Sequence, residues 1–233
     1  MSDWLGYSLR DFLMFGPEVY WRLFSLHNQA LWPLPAVALA AGIGVLLLLA
    51  YSDRPLRPTI GLALGLGWAG ATHFLATRYA PINWPLDYAV WAFGAQAVMA
   101  ALSINSRALD AARPVSGMAR RIGLGLVAYS VLLHPLIGLG FGRPLAQAEI
   151  IGLAPDPTVI ASLGLLLLMG RSWWRAALSV IPVIWCVVSA VTLLALGEAQ
   201  GWVLLGALGI WTAGLLAQMP RGSRGDRPDQ GAD

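Results

Sequence analysis

Seven apolar stretches run through this chain, each close to the length that a helix needs to cross a bilayer. The hydrocarbon core is about 30 Å thick, so a crossing helix takes about 20 mostly apolar residues. The stretches cover about Ala30–Tyr51, Thr59–Tyr79, Leu86–Asn105, Arg121–Phe141, Thr158–Trp174, Arg175–Leu196 and Gly201–Met219. Lipid leaves such a chain few choices. Every backbone N–H and C=O must be paired within the protein, which restricts spanning segments to helices or closed barrels. Continuous apolar runs of this length select helices. Composition agrees: 58% of the 233 residues are hydrophobic and 12% are charged, where a soluble chain has about 45–50% and about 25%. That excludes an ordinary soluble domain, and the hydropathy excludes a disordered chain.

Orientation follows from arginine, since none of the 15 basic residues is a lysine. With seven crossings, four arginines (Arg10, Arg22, Arg78, Arg143) fall on the N-terminal side and the other eleven on the opposite side. The positive-inside rule then places the N-terminus outside and the C-terminus in the cytoplasm. The fifth stretch is the shortest, because Thr158–Gly170 meets Arg171 after 13 residues. It reaches crossing length only if Arg171 snorkels and Trp173 and Trp174 lie at the interface. The expected fold is therefore all-α, a polytopic transmembrane helical bundle of seven spans. Its expected organisation is an outer interfacial amphipathic segment over residues 1–29, a transmembrane domain over 30–219 and a disordered cytoplasmic tail over 220–233.

The ends of the stretches carry consistent punctuation. Trp32-Pro33-Leu34 and Trp84-Pro85-Leu86 pair a headgroup-level tryptophan with a proline suited to a first helical turn. Residues Met1–Asn28 lack the basic start and short apolar core of a signal peptide. Gly61, Gly65 and Gly70, and later Gly206, Gly209 and Gly214, read as small-residue contacts between helices or as a dimer face. The single cysteine, Cys186, reads as a buried hydrophobe and leaves no intrachain disulfide. The basic charge sits in short loops, and no nucleotide-binding motif is present, so nucleic acid is not an expected partner.

No Asp, Glu or Arg falls near the middle of any expected span, which counts against a proton- or ion-coupled pathway through the midplane. Polar chemistry instead concentrates on the expected outer side. His27, His73 and His134 all lie there, with Arg78, Asn83, Asp87, Glu149 and Asp156. These residues could line a pocket at the outer face. The three histidines are candidate ligands for zinc or a similar metal, and a pair of them for haem. No His-x-x-x-His or Cys-x-x-Cys-His motif accompanies them. The plain alternative is that each histidine serves helix packing or the interface, and that Asp156 or Thr158 caps the fifth span.

The runs Tyr7-Ser8-Leu9-Arg10-Asp11-Phe12-Leu13 and Tyr20-Trp21-Arg22-Leu23-Phe24, with Asn28 and Trp32-Pro33, resemble a group of bacterial multi-pass membrane proteins. So do Arg78-Tyr79-Ala80, Ile82-Asn83-Trp84, Gln147-Ala148-Glu149 and Ala154-Pro155-Asp156-Pro157-Thr158. That group is a membrane domain of unknown function, some members of which carry a permease label. The resemblance covers nearly the whole chain and implies one domain in the inner membrane. It brings no substrate, cofactor or catalytic residue. Three functions stay open: a small-solute permease, a membrane-embedded metal or haem enzyme using the outer histidines, and an accessory or assembly subunit. The lipid bilayer is the first expected partner, followed by a small solute, a second copy or a membrane complex.

Overall fold

The computed structural model describes residues 13–52, 57–104, 115–169 and 171–219. The first twelve residues of the interfacial segment, the loop arginines Arg54, Arg107 and Arg113, Asn105 and the tail 220–233 lie outside the described residues. Among the described residues all regular structure is helical. The helices are α1 (Pro17–Ala30), α2 (Leu34–Tyr51), α3 (Arg57–Phe74), α4 (Leu86–Ser103), α5 (Gly117–Ala128), α6 (His134–Gly140), α7 (Pro155–Leu168), α8 (Trp173–Ala195) and α9 (Gly201–Leu216). Each of the seven apolar stretches contains one or more of them.

Two helices continue through a π turn. Leu75–Tyr79 extends α3, and Tyr129–Leu133 joins α5 to α6. The second turn immediately precedes Pro135, whose missing N–H would break a regular α ladder. One extra residue per turn absorbs that interruption, and the helix goes on. The first reaches Ile82 through a short 3-10 turn, Ala80–Ile82. Helix α8 runs unbroken across Pro182.

Four helical segments are long and apolar enough to cross a membrane: Leu34–Tyr51, Pro58–Ile82, Gly117–Gly140 and Trp173–Ala195. Helix α2 is the plainest, with a mean hydropathy of 2.3 and only 11% of its residues buried in the protein. Leu47, Leu48 and Val37 are about half exposed. A helix apolar all round and mostly uncovered is at home only in hydrocarbon. Arg120 at the start of α5 donates to the Leu49 and Ala50 carbonyls, both at 3.1 Å, and satisfies the last turn of α2.

The core is built around α7. Every residue from Pro155 to Leu167 is buried, because α3, α5, α8 and α9 all pack on it. At 14 residues it is about 21 Å long, well short of the hydrocarbon thickness. Its partners, not lipid, satisfy it. The fifth stretch is thus short because it is a central helix entered by a buried loop, and Trp173 and Trp174 belong to α8 rather than to its end. Glu149, Ile150, Leu153 and Ala154 on that loop are buried too. Irregular backbone at such depth is tolerated where protein surrounds it.

Glycine makes the close approaches possible. A Cβ on Gly123 would sit 2.7 Å from the Gly164 carbonyl, and one on Gly164 would sit 2.6 Å from the Gly123 carbonyl, so α5 and α7 cross backbone to backbone. Gly61, Gly65, Gly70 and Gly214 also face neighbouring segments. Gly206 and Gly209 differ from the expected pattern: nothing lies within 4 Å of a Cβ at either. They sit on the open side of α9, which a helix inside the bundle would not leave bare.

Candidate functional site

The site is assembled at the end of the bundle where α1 lies. Helix α1 begins at Pro17 after Gly16, a residue order suited to a helix start. It buries Tyr20, Trp21, Leu23, Phe24 and His27, whose spacing makes one face. Phe24 stacks on Phe74 of α3 at 4.7 Å, and Tyr20 meets Tyr79 edge-on at 5.5 Å. Asn28 donates to the Ala146 and Ala148 carbonyls at 3.1 and 2.8 Å and ties α1 to the loop before α7. The expected interfacial segment therefore packs on protein along its apolar face.

Beneath α1 lies a continuous set of polar side chains. Trp21 Nε1 donates to Glu198 Oε1 at 3.0 Å. The Arg143 guanidinium lies 3.3 Å above the Trp21 ring, a cation–π stack. Arg143 also approaches Glu198 at 3.7 Å and donates to Gln200, which in turn donates to Glu149. Glu149 lies 3.3 Å from His134 Nε2. Both are buried, as is Gln200. Tyr20 reaches within hydrogen-bonding range of Ser189. Burial pushes the Tyr20 phenol well above its usual range, and the nearby Asp156 and Glu149 carboxylates push the same way. The Tyr20 phenol therefore keeps its proton. Burial lowers Arg143, while Glu149 and Glu198 draw it back up; a guanidinium keeps its charge in either case.

Asp156 is deeper. It does not cap α7; the residue at that helix start, Ala154, makes no side-chain cap bond. Asp156 accepts from Trp185 Nε1 at 2.8 Å and from the Ser189 hydroxyl at 2.8 Å on both oxygens. Trp185 is the thirteenth residue of the 23 in α8, about 15 Å from the end of that helix by its rise per residue. Ser189 is six residues from the end of α8, so the carboxylate meets the second half of that helix. Hydropathy assigned Asp156 to a loop, whereas it stands in the buried first turn of α7. Thr158 turns the loop by accepting from the Gly152 N–H at 2.8 Å. Trp68 then donates to Ser162 at 2.9 Å one turn further on.

The eight residues expected to share a pocket divide into separate places. His134 and Glu149 pair in the buried network, with Asp156 close enough for charges to be felt. His27 and His73 stand 5.7 Å apart between ring centres, with Arg78 near them. Asn83 is within reach of the Tyr79 hydroxyl, and Asp87 is exposed in the first turn of α4. Among the described residues, no group of three or more His, Cys, Asp or Glu side chains could hold a metal ion. Sequence reasoning passed over Trp185 and Gln200. Gln200 had one signal, its place in the short Gly-Glu-Ala-Gln connector between two apolar runs. Trp185 had none, since an aromatic within an apolar stretch reads as core.

A narrow cleft opens on this network, lined by Trp21, His134, Arg143, Gln147 and Glu149 among others. It holds about 10 Å³ of free volume, the scale of one water. Arg143 and Trp21 of α1 line it together with Glu149.

These features define an all-helical protein with membrane-length apolar helices and a buried acidic network beneath α1. Residues 17–222 match the model of a family of unknown function, DUF6064, and the chain belongs to that family. No curated protein and no solved structure matches it.

Proposed function

We propose that this chain is a small-solute permease of the inner membrane with seven spans, its N-terminus outside and its C-terminus in the cytoplasm, and that proton exchange at Asp156 and Glu149 accompanies transport. The carrying observation is the Asp156 carboxylate, buried inside the bundle and held by Trp185 and Ser189. No cation is paired with it among the described residues. An ionisable side chain at such depth is costly and marks a substrate or proton path by default. Glu149 and His134 line the cleft and lie near enough to Asp156 for their charges to act on it, which supports a relay from the surface. The cleft admits only about one water, which fits an occluded state. Proteoliposomes with an entrapped pH dye test the reading across a panel of small solutes. Solute-dependent proton movement is expected, reduced at least about tenfold by Asp156→Asn and by Glu149→Gln, each of which removes a proton-exchanging group. No movement with any solute, or movement equal to wild type in both variants, overturns it.

A second reading, a subunit of a membrane complex, rests on α2. Only 11% of that helix is buried, and the exposed Gly206 and Gly209 give α9 an uncovered small-residue face. Purification in mild detergent, followed by mass measurement of the intact particle, separates the readings. A partner held stoichiometrically supports the subunit role, and a lone active chain removes it.

A further inference from the structure

Apart from the acidic network, the α1 end of the bundle gathers a second set of polar groups, and these are cationic or able to become so. His27 is 2% exposed, and its ring packs edge-on against Phe74 at 5.1 Å. Its Nε2 is buried and makes no hydrogen bond. His73, at the end of α3, stands beside it at 5.7 Å and is exposed to the surroundings. Arg78 comes from the π turn, and its buried Nε also lacks a hydrogen-bond partner. The turn matters to this placement. His73 and Arg78 are five residues apart, and in an α-helix that spacing puts side chains about 140° apart. A π turn closes about one more residue per turn and swings Arg78 back toward the His73 face. Among the described residues no carboxylate is paired with any of the three.

A buried, unpaired nitrogen costs free energy comparable to a lost hydrogen bond. His27 and Arg78 each carry one such nitrogen, His73 and Arg78 lie near enough to His27 for their charges to act on it, and no carboxylate joins the three. Guanidinium and imidazolium groups match oxyanions in charge and geometry, and phosphate above others. We propose that His27, His73 and Arg78 form a binding site for a phosphate-class oxyanion, supplied either by a lipid headgroup or by free phosphate. Arg78 carries the permanent charge. His73 supplies a second donor at the rim, and His27 a third from below. The site shares no residue with the acidic network, so it stands or falls independently of the transport reading.

The full-length protein, purified in a phosphate-free zwitterionic detergent, is titrated with inorganic phosphate by calorimetry. In parallel, it is mixed with phosphatidylglycerol, and retained lipid is counted by native mass spectrometry. Saturable phosphate binding identifies a soluble anion site. Retained phosphatidylglycerol without phosphate binding identifies a headgroup site. In either case Arg78→Gln is expected to weaken binding by about tenfold or more, the scale of one charge-assisted hydrogen bond. His73→Gln weakens it less, and because His73 is exposed this variant folds even if the arginine variant does not. The charged groups acting on His27 are His73 and Arg78, and the Leu145–Gln147 segment packed on α1 carries no titratable side chain. Absence of binding with both probes, or equal binding by wild type and both variants, overturns the proposal.

Discussion

A Cβ at Gly70 would lie 1.9 Å from the Gly152 carbonyl oxygen. That oxygen is backbone, and Gly152 adopts φ +79° in the turn that leads into α7, so no flexible side chain can move aside. Gly70→Ala should therefore lower the thermal midpoint sharply, by an amount equivalent to about 1–3 kcal/mol or more. Gly206→Ala meets nothing within 4 Å and should raise it slightly, since alanine is the better helix former by up to about 1 kcal/mol. Thermal melts in one detergent compare the two, and equal shifts would contradict the packing. His27 makes a second residue-level prediction. Burial, followed by the nearby His73 and Arg78 charges, lowers it from 6.5 to about 4. The fold prefers the neutral ring, so its contribution is complete above pH 6.5 and fades as the pH falls toward 4. Melts of wild type between pH 7.5 and 4.5 should show this loss, and His27→Gln should flatten it. An identical slope in both proteins would exclude His27 as its source.

Among the elements, α1 and α7 show opposite ways of hiding polarity. Helix α1 is amphipathic and closes over the acidic network, with Trp21 pinned between Glu198 and Arg143. Arg143→Met keeps an apolar stem over the ring but removes the charge and its bonds to Gln200 and Glu198. Amide exchange along α1 should then quicken by about tenfold, consistent with about 1.5–3 kcal/mol for hydrogen bonds to a charged group, while α8 exchanges as before. Unchanged α1 protection would mean that Arg143 does not hold the helix down. Helix α7 is buried all round and needs no amphipathic pattern. For this reason its shortness in the sequence signals a central position rather than a weak crossing.

For the whole molecule, the crossing number and direction can be read with cysteine labels. The native Cys186 is fully buried and gives little background. Ala199→Cys, in the exposed connector between α8 and α9, should react with a membrane-impermeant maleimide in intact cells. Met118→Cys, exposed at the start of α5, should react only after the cells are opened. The reverse pattern would invert the orientation, and labelling of both from one side would change the number of crossings between them.

Much of this architecture was legible beforehand, residue by residue. The run from Leu34 to Tyr51 had to be a lipid-facing helix, because its 18 residues carry no charge and no other environment accepts them. Helix starts at Leu86 and Gly201 fell where proline and the polar connector placed them. The tendency of polar residues to collect at the α1 end was also visible, since hydropathy and arginine placement are local properties. Where those residues go was not. His27 and His134 read alike in sequence, yet one joins His73 and Arg78 and the other pairs with Glu149. Asp156 read as a loop residue because nothing in its neighbourhood reveals that the loop is buried. Its depth depends on Trp185 and Ser189, which lie 29 and 33 residues away. Local hydropathy sets the tendency of each segment to leave water. Only the packing of distant segments around α7 decides which polar groups go in with it, because those groups are paid for by partners that local sequence does not contain.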